Sequence, residues 1–371
     1  MTSSESPELA LPPGAARRAP GVALTLVLAV GACFAGYASL DAPNTGSVRT
    51  GEWATDFEDH LDEHIGFRDA AITAWGIAEY GLFAQGRPGV IVGADGWLFT
   101  SEELDQPRGG EAATAQKLQL AEAVTRYLAA HHIELIVAVI PAKARVYSRE
   151  LGDTRLPLAV EGRYNAFVLG LRARGVRVVG LLPALSGAPA DAPTFLRTDT
   201  HWTPRGAELA AQAIAAAAPS SLPPTSWTRQ VAAPVEHRGD LLRYLPLGPL
   251  QDRWGPAPDR LETPSALRGG GLGLFDDVTV PAALVGTSYS ADARWGFQDA
   301  LRLALRADVL DAADPGGGPV EPLLDYLENE AFRQTPPQLV IWEVPERYVP
   351  VYDDLAGHQA LLAELGLGGG R

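Results

Sequence analysis

Ile133-Glu134-Leu135-Ile136-Val137-Ala138-Val139-Ile140 is a β-branched, apolar run stopped by Pro141. A run this short and apolar, ended by a residue that cannot donate to a sheet ladder, predicts a strand buried on both faces. Burial on both faces implies parallel neighbours with helices laid over them. Outward from this run the chain alternates. Upstream, Gln116 to His131 is amphipathic and predicts a helix. Downstream, Arg163 to Arg174 predicts a helix ended by Gly175, and Val176 to Leu182 the next strand. Thr203-Pro204 opens another helix, running to Ala218, with Thr203 as N-cap and Pro204 in the first helical position. Pro219 to Pro234, rich in Pro and Ser, reads as a loop or surface excursion. Pro281 to Val285 predicts a strand, Phe297 to Leu310 a helix and Leu339 to Val344 a last strand. The fold class expected is therefore α/β, a parallel sheet flanked by helices.

Before this core lies different sequence. Gly89 to Gly93 and Trp97 to Phe99, joined by Ala94-Asp95-Gly96, carry the Asp-Gly signature of a hairpin. Phe57, Leu61 and Ile65 recur at helical spacing. After a break near Gly66, Ile72 and Trp75 share a face, so residues 41–85 read as a stem of two short helices. Gly21 to Leu40 carries no charge, and about 20 apolar residues match the thickness of a bilayer core. Arg17 and Arg18 precede it and acidic residues follow, which keeps the N-terminus cytoplasmic and exports the remainder. An uncleaved transmembrane signal anchor over 20–40, behind a cytoplasmic tail over 1–19, is the reading preferred here. A cleaved signal peptide ending near Ala38 and a lipid-anchored Cys33 are the alternatives. Residues 86–355 remain for a globular domain, and 356–371 for a C-terminal tail.

The 371 residues carry a net charge of −15 and only two lysines, Lys117 and Lys143. Nucleic-acid phosphates demand clustered cations, so nucleic acid is excluded as a partner. The single cysteine, Cys33, excludes an intrachain disulfide and a cysteine-built metal cage.

Two motifs carry chemistry. Gly286-Thr287-Ser288-Tyr289-Ser290 follows the strand ending at Val285, and a serine at the carboxyl end of a buried strand faces the crevice where such sheets bind ligands. Gly286 permits a sharp turn, and backbone amides beside Ser288 are placed to meet an oxyanion. No glycine stands two residues after Ser288, so this is not the Gly-x-Ser-x-Gly elbow of the α/β-hydrolases. Asp199-Thr200-His201-Trp202 immediately precedes the capped helix. Asp-x-His lets a carboxylate accept from one imidazole nitrogen and leaves the other free as a base. Alone, the pair also fits a loop hydrogen bond or two zinc ligands. Taken with Ser288, it completes nucleophile, base and orienter for acyl transfer. His60 and His64 read as a solvated helix face and His131-His132 as a helix end.

The ordered set Gly93-Ala94-Asp95-Gly96-Trp97-Leu98-Phe99, Ile140-Pro141-Ala142-Lys143-Ala144, Asp199-Thr200-His201-Trp202, Gly286-Thr287-Ser288 and Trp342-Glu343-Val344-Pro345-Glu346-Arg347-Tyr348 resembles the alginate O-acetyltransferases of the AlgJ and AlgX group, over roughly residues 50 to 350. The resemblance implies a permuted SGNH-hydrolase-like domain with Asp199, His201 and Ser288 as triad. It also implies a periplasmic catalytic domain, a polysaccharide acceptor and a membrane-bound O-acyltransferase as acetyl source. The sequence departs from the usual SGNH pattern at Thr287, where Asp is typical, and in spelling Asp-x-His for Asp-x-x-His. No asparagine presents itself as oxyanion donor among Asn44, Asn165 and Asn329. Tyr289, Lys143 and Arg347 are the substrate or oxyanion candidates by position, and Trp202 with Tyr289 are the rings available to stack on a sugar, core packing being the commoner fate of tryptophan. The chain stops short of a carbohydrate-binding module, as in the AlgJ type.

The mechanism implied is double displacement through an acetyl-serine, which calls for neither metal nor nucleotide cofactor. A polysaccharide acetylesterase shares its first half. A non-catalytic scaffold of an export complex is the alternative from another class. Arg145, Arg197, Arg243 and Arg347 form a candidate cluster to offset the net charge beside a polyanionic acceptor.

Overall fold

The computed structural model describes residues 46–64, 68–189, 191–270 and 280–368, with isolated positions between 29 and 37. The expected anchor over 20–40 lies outside the described residues apart from those positions. Among the described residues no helix is long and apolar enough to cross a membrane. The chain divides into two units, up to Trp75 and from Gly76 onward. The first holds helix α1 (Glu52–His64), where Trp53 stacks on Phe57 with ring centroids 5.3 Å apart. Helix α2 (Arg68–Phe83) crosses the division. Its Ile77 and Tyr80 pack in the second unit against Leu98, Leu241, Leu245 and Leu247.

In the second unit, β1 (Val90–Val92) and β2 (Leu98–Thr100) form the expected hairpin, and Asp95 takes φ 51° at its tip. The predicted strand appears as β3 (Glu134–Ile140), followed by β4 (Val178–Gly180). Then come β5 (Trp227–Val231), β6 (Val235–His237), β7 (Asp259–Leu261), β8 (Pro264–Arg268), β9 (Ala282–Val285), β10 (Val309–Asp311) and β11 (Leu339–Pro345). The main sheet is five-stranded and wholly parallel, in the order β10-β9-β11-β3-β4.

The alternation along β3 explains its composition. Leu135, Val137 and Val139 face one core with helices α3 (Gly110–Ala130), α4 (Leu158–Ala173) and α7 (Glu321–Glu328). Ile136, Ala138 and Ile140 face a second core with α5 (Pro204–Ala217) and α6 (Phe297–Leu305). With both faces covered, every residue but Glu134 must be apolar, and each large side chain contributes about 1.5–3 kcal/mol by burial. Ala207, Ala210 and Ala211 on α5, all fully buried, let that helix lie close against α6.

Three sequence expectations need correction. The helix expected from Phe297 to Leu310 ends at Leu305; Arg306 turns at φ 53°, and Val309–Asp311 pairs with β9 as the sheet edge. The stretch Leu305-Arg306-Ala307-Asp308-Val309-Leu310 mixes apolar and charged residues over too few positions for its period to separate a last helical turn from an edge strand. The strand expected over Val176 to Leu182 shortens to β4, because Leu182–Ser186 winds into a short helix. The stretch Pro219 to Pro234 contains β5, which pairs antiparallel with β8, while β6 pairs with β7 in a second ribbon.

Chain order reverses at the middle of the sheet. From β3 the chain moves through α4 to β4 on one side. From β9 it moves through α6 on the opposite face to β10 on the other side. A crevice opens beyond the carboxyl ends of strands at such a switch point, and β3, β9 and β11 all end there.

Candidate active site

Ser288 begins a short turn of helix directly after β9, capped by Thr287, whose hydroxyl accepts from the Tyr289 amide. Gly286 is required by its neighbour: a Cβ added there would meet Glu343 Oε2 at 2.5 Å. Glu343, on β11 and fully buried, accepts from the Thr287 amide at 2.8 Å, the Thr287 hydroxyl at 3.1 Å and the Ser290 hydroxyl at 3.0 Å. Burial pushes its carboxyl up to about 7, and these hydrogen bonds restrain the rise. One carboxyl thus fixes the backbone on both sides of Ser288. The Ser288 amide makes no hydrogen bond to another described residue.

The Asp199–His201 loop is a narrow excursion closed by the Phe195↔Trp202 bridge, with Leu196 N donating to His201 O and Thr203 N to Thr194 O. Thr203 caps α5 through the Gly206 amide, with Pro204 next, as the sequence implied. Three further segments hold the loop. Lys143 Nζ donates to the carbonyls of Leu98, Arg197 and Asp199 at 2.5, 3.0 and 2.9 Å. Asp259 of β7 accepts from the amides of Arg197 and Thr198. Asp240 accepts from the Thr200 amide and hydroxyl. Gly239 lies flat on the loop backbone, where a Cβ would come within 2.0 Å of the Thr198 carbonyl oxygen.

This scaffolding brings the three separated residues together. Ser288 Oγ lies 2.8 Å from His201 Nε2, and His201 Nδ1 lies 2.7 Å from Asp199 Oδ1. An ionised carboxylate only accepts, so Nδ1 carries the proton and Nε2 is left to accept from the serine hydroxyl. Burial raises the Asp199 carboxyl, but hydrogen bonds from His201 and His237 outweigh it and hold the group well below the usual carboxylate range. The imidazole is gripped on both sides, stacked on Trp295 at 5.1 Å and 21° and tilted against Tyr289 at 4.8 Å. Trp295 Nε1 in turn donates to the Ser288 carbonyl.

The other sequence candidates fall into place differently. Trp202 and Tyr289 are buried, at 0% and 2% exposure. Tyr289 donates its hydroxyl to Thr200 O, and Trp202 donates to Tyr289 O. The expectation that these rings stack on a sugar is corrected: they are core, packed edge to face at 5.3 Å. Lys143 is buried with its ammonium directed at three carbonyls, so it clamps the loop from beneath. Burial lowers its pKa to about 8 against the pull of Glu103, Asp259, Asp199 and Asp240. Arg347 is nearly buried, lies over Tyr348 at 4.9 Å and Tyr289 at 5.7 Å, and pairs through Nε with Glu102 Oε2 at 3.7 Å. Of the proposed arginine cluster, Arg145 is spent on Glu346 and the carbonyls of Val160 and Glu161. Arg197 leans on Asp259, and Arg243 is exposed and stacked on Tyr244.

Asp199, His201 and Asp240 offer ligand atoms within 4.8 Å of one another. The Asp199 oxygens, His201 Nδ1 and both Asp240 oxygens are already hydrogen-bonded, and an ion would have to displace those bonds. Asp325, Glu328 and His358 form a similar group, with His358 Nδ1 2.9 Å from Glu328. Sequence reasoning missed His237, Asp240, Trp295 and Glu343. The available signal was His237-Arg238-Gly239-Asp240, two titratable groups flanking a glycine, inside a stretch without periodicity.

A family model described as an SGNH hydrolase-like domain, acetyltransferase AlgX, matches residues 90–346. The chain is 41% identical over 318 residues to the probable alginate O-acetylase AlgJ of Pseudomonas syringae pv. tomato, covering 83% of this chain and 81% of that one. It is 40% identical over 350 residues to the protein of the same name from Pseudomonas aeruginosa, covering 90% and 88%. A solved structure, the O-acetyltransferase domain of Pseudomonas putida AlgJ, superposes with a TM-score of 0.68 at 39% identity, covering 75% of this chain and 99% of that one.

Proposed function

The chain belongs to the AlgX-type family of SGNH hydrolase-like acetyltransferases, and from that premise we propose that it transfers acetyl groups through Ser288 onto hydroxyls of an exopolysaccharide. The observation that carries this is the continuous chain of contacts from Ser288 Oγ to His201 Nε2 and from His201 Nδ1 to Asp199. His201 takes the serine proton as Oγ attacks the acetyl carbonyl, and Asp199 stabilises the imidazolium. The Ser288 amide, without an acceptor among the described residues, faces the developing oxyanion. The donor's leaving group takes the proton from His201, leaving acetyl-Ser288. A sugar hydroxyl, deprotonated by the same imidazole, then attacks the acetyl-serine; the acetyl–Oγ bond breaks, Ser288 Oγ takes the proton back from His201, and the acetylated sugar leaves.

The relatives named alginate O-acetylases support a uronate polymer as acceptor. Exposed Arg243, and Arg347, nearly buried with its Nε 3.7 Å from Glu102 Oε2, supply local positive charge in a protein of net charge −15. In this reading residues 20–40 anchor the chain in the inner membrane and 41–85 form the stem. Residues 86–355 then work in the periplasm on acetyl delivered by a membrane-bound O-acyltransferase.

The test uses an artificial acetyl ester with and without alginate oligosaccharides, for the wild type and Ser288→Ala. Acetyl release by the wild type, an acetyl adduct on the peptide carrying Ser288 and acetylated oligosaccharide are expected, all absent in the variant. Equal rates in both proteins refute the acyl-serine. Ester cleavage without any acetylated sugar makes the protein an esterase.

A further inference from the structure

Asp199 is gripped from both ends. Its Oδ1 accepts from His201 Nδ1 at 2.7 Å and from the His201 amide at 3.0 Å; its Oδ2 accepts from His237 Nε2 at 2.8 Å and from the Asp240 amide at 3.1 Å. His237 is 7% exposed and ends β6, where it stands opposite Asp259 across the ribbon. Trp295 joins the two imidazoles. Its ring stacks on His201 and meets His237 edge to face at 5.4 Å and 87°. The charged and titratable groups around His237 are Asp199, Asp240 and His201 from the loop side, Asp259 from β7, and its neighbours Glu236 and Arg238.

We propose that His237 is a positioning residue for acyl transfer, acting on His201 through Asp199; this rests on the triad reading above. Because Asp199 is ionised and only accepts, His237 presents Nε2–H to it. A carboxylate held at one oxygen alone can turn about its Cβ–Cγ bond, whereas a second donor at Oδ2 keeps Oδ1 aimed at the His201 ring. His237 therefore fixes the direction of His201 through Asp199.

The full-length protein is assayed as wild type, His237→Phe, His237→Gln and Ser288→Ala, following kcat and KM for acetyl-ester cleavage against pH, together with Tm. His237→Phe is expected to lose about ten- to a hundredfold in kcat, the value of a hydrogen bond to a charged group, with KM little changed. His237→Gln, which can still donate to Oδ2, recovers most of the loss. A folded His237→Phe with wild-type kcat, a loss carried by KM rather than kcat, or a His237→Gln as impaired as His237→Phe each overturns the inference. Should the Phe variant not fold, nitrogen NMR of wild type labelled at histidine decides: His237 must carry its proton on Nε2 at the pH of activity, and a proton on Nδ1 alone overturns it. Wild-type activity in Ser288→Ala removes the triad and this inference with it. An inactive Ser288→Ala beside an unaffected His237→Phe removes only this inference.

Discussion

Glu343→Gln tests whether the nucleophile turn rests on a carboxyl whose charge is costly. In the fold this group is fully buried and its pKa rises from 4.5 to about 7. A group with a raised folded pKa contributes stability that is fully present below its unfolded value and is lost as pH rises through the folded one. Between about pH 4.5 and 7 the wild type should therefore lose about 3 kcal/mol from this residue alone, at 1.36 kcal/mol per pKa unit. Glutamine keeps an acceptor oxygen for the Thr287 amide and the Ser290 hydroxyl and never ionises. The two proteins should be near parity at pH 4.5, and at pH 8 the variant should be the more stable by up to that amount. This corresponds to about 5 °C in Tm for a unit of this size. Urea unfolding at a series of pH values reads the difference directly, with equal m-values confirming that the unfolded states match. Other titrating groups are common to both proteins and cancel. Stability curves that run parallel from pH 4.5 to 8 refute the reasoning, because burial would then not be raising this carboxyl.

Asp199→Asn should leave the far-ultraviolet circular dichroism unchanged and lower kcat by about 10³–10⁴-fold, because the amide sets the wrong tautomer at His201; stopped assays with the acetyl ester measure it. Lys143→Met strands three buried carbonyls that the ammonium now serves, and should cost about 2–5 kcal/mol in denaturant unfolding. Gly286→Ala drives a methyl to 2.5 Å from Glu343 Oε2. It should cost about 1–3 kcal/mol by overpacking, with a loss in kcat as Ser288 shifts from His201.

The strand at 133–140 was legible because burial on both faces leaves a signature that needs no knowledge of its neighbours. The cap at Thr203-Pro204 was equally legible, since a helix start is specified within four residues. The hairpin at 90–100 followed from its Asp-Gly turn. The sheet edge at Val309–Asp311 was not, because a strand of three residues is too short to show a period distinct from that of a last helical turn. The ribbons at 227–268 were invisible for another reason. Their strands are three to five residues long and are stabilised by pairing across distant sequence.

Sequence alone determined the fold class, the family and the three residues worth bringing together, because each is written in local order: periodicity, caps, and a serine following a buried strand. It could not determine that Trp202 and Tyr289 are core, that Lys143 clamps three carbonyls, or that His237 backs Asp199. Those are properties of what surrounds a side chain in space, and only the closing of the sheet and the docking of the β6–β7 ribbon decide which groups are buried and which donors meet which acceptors.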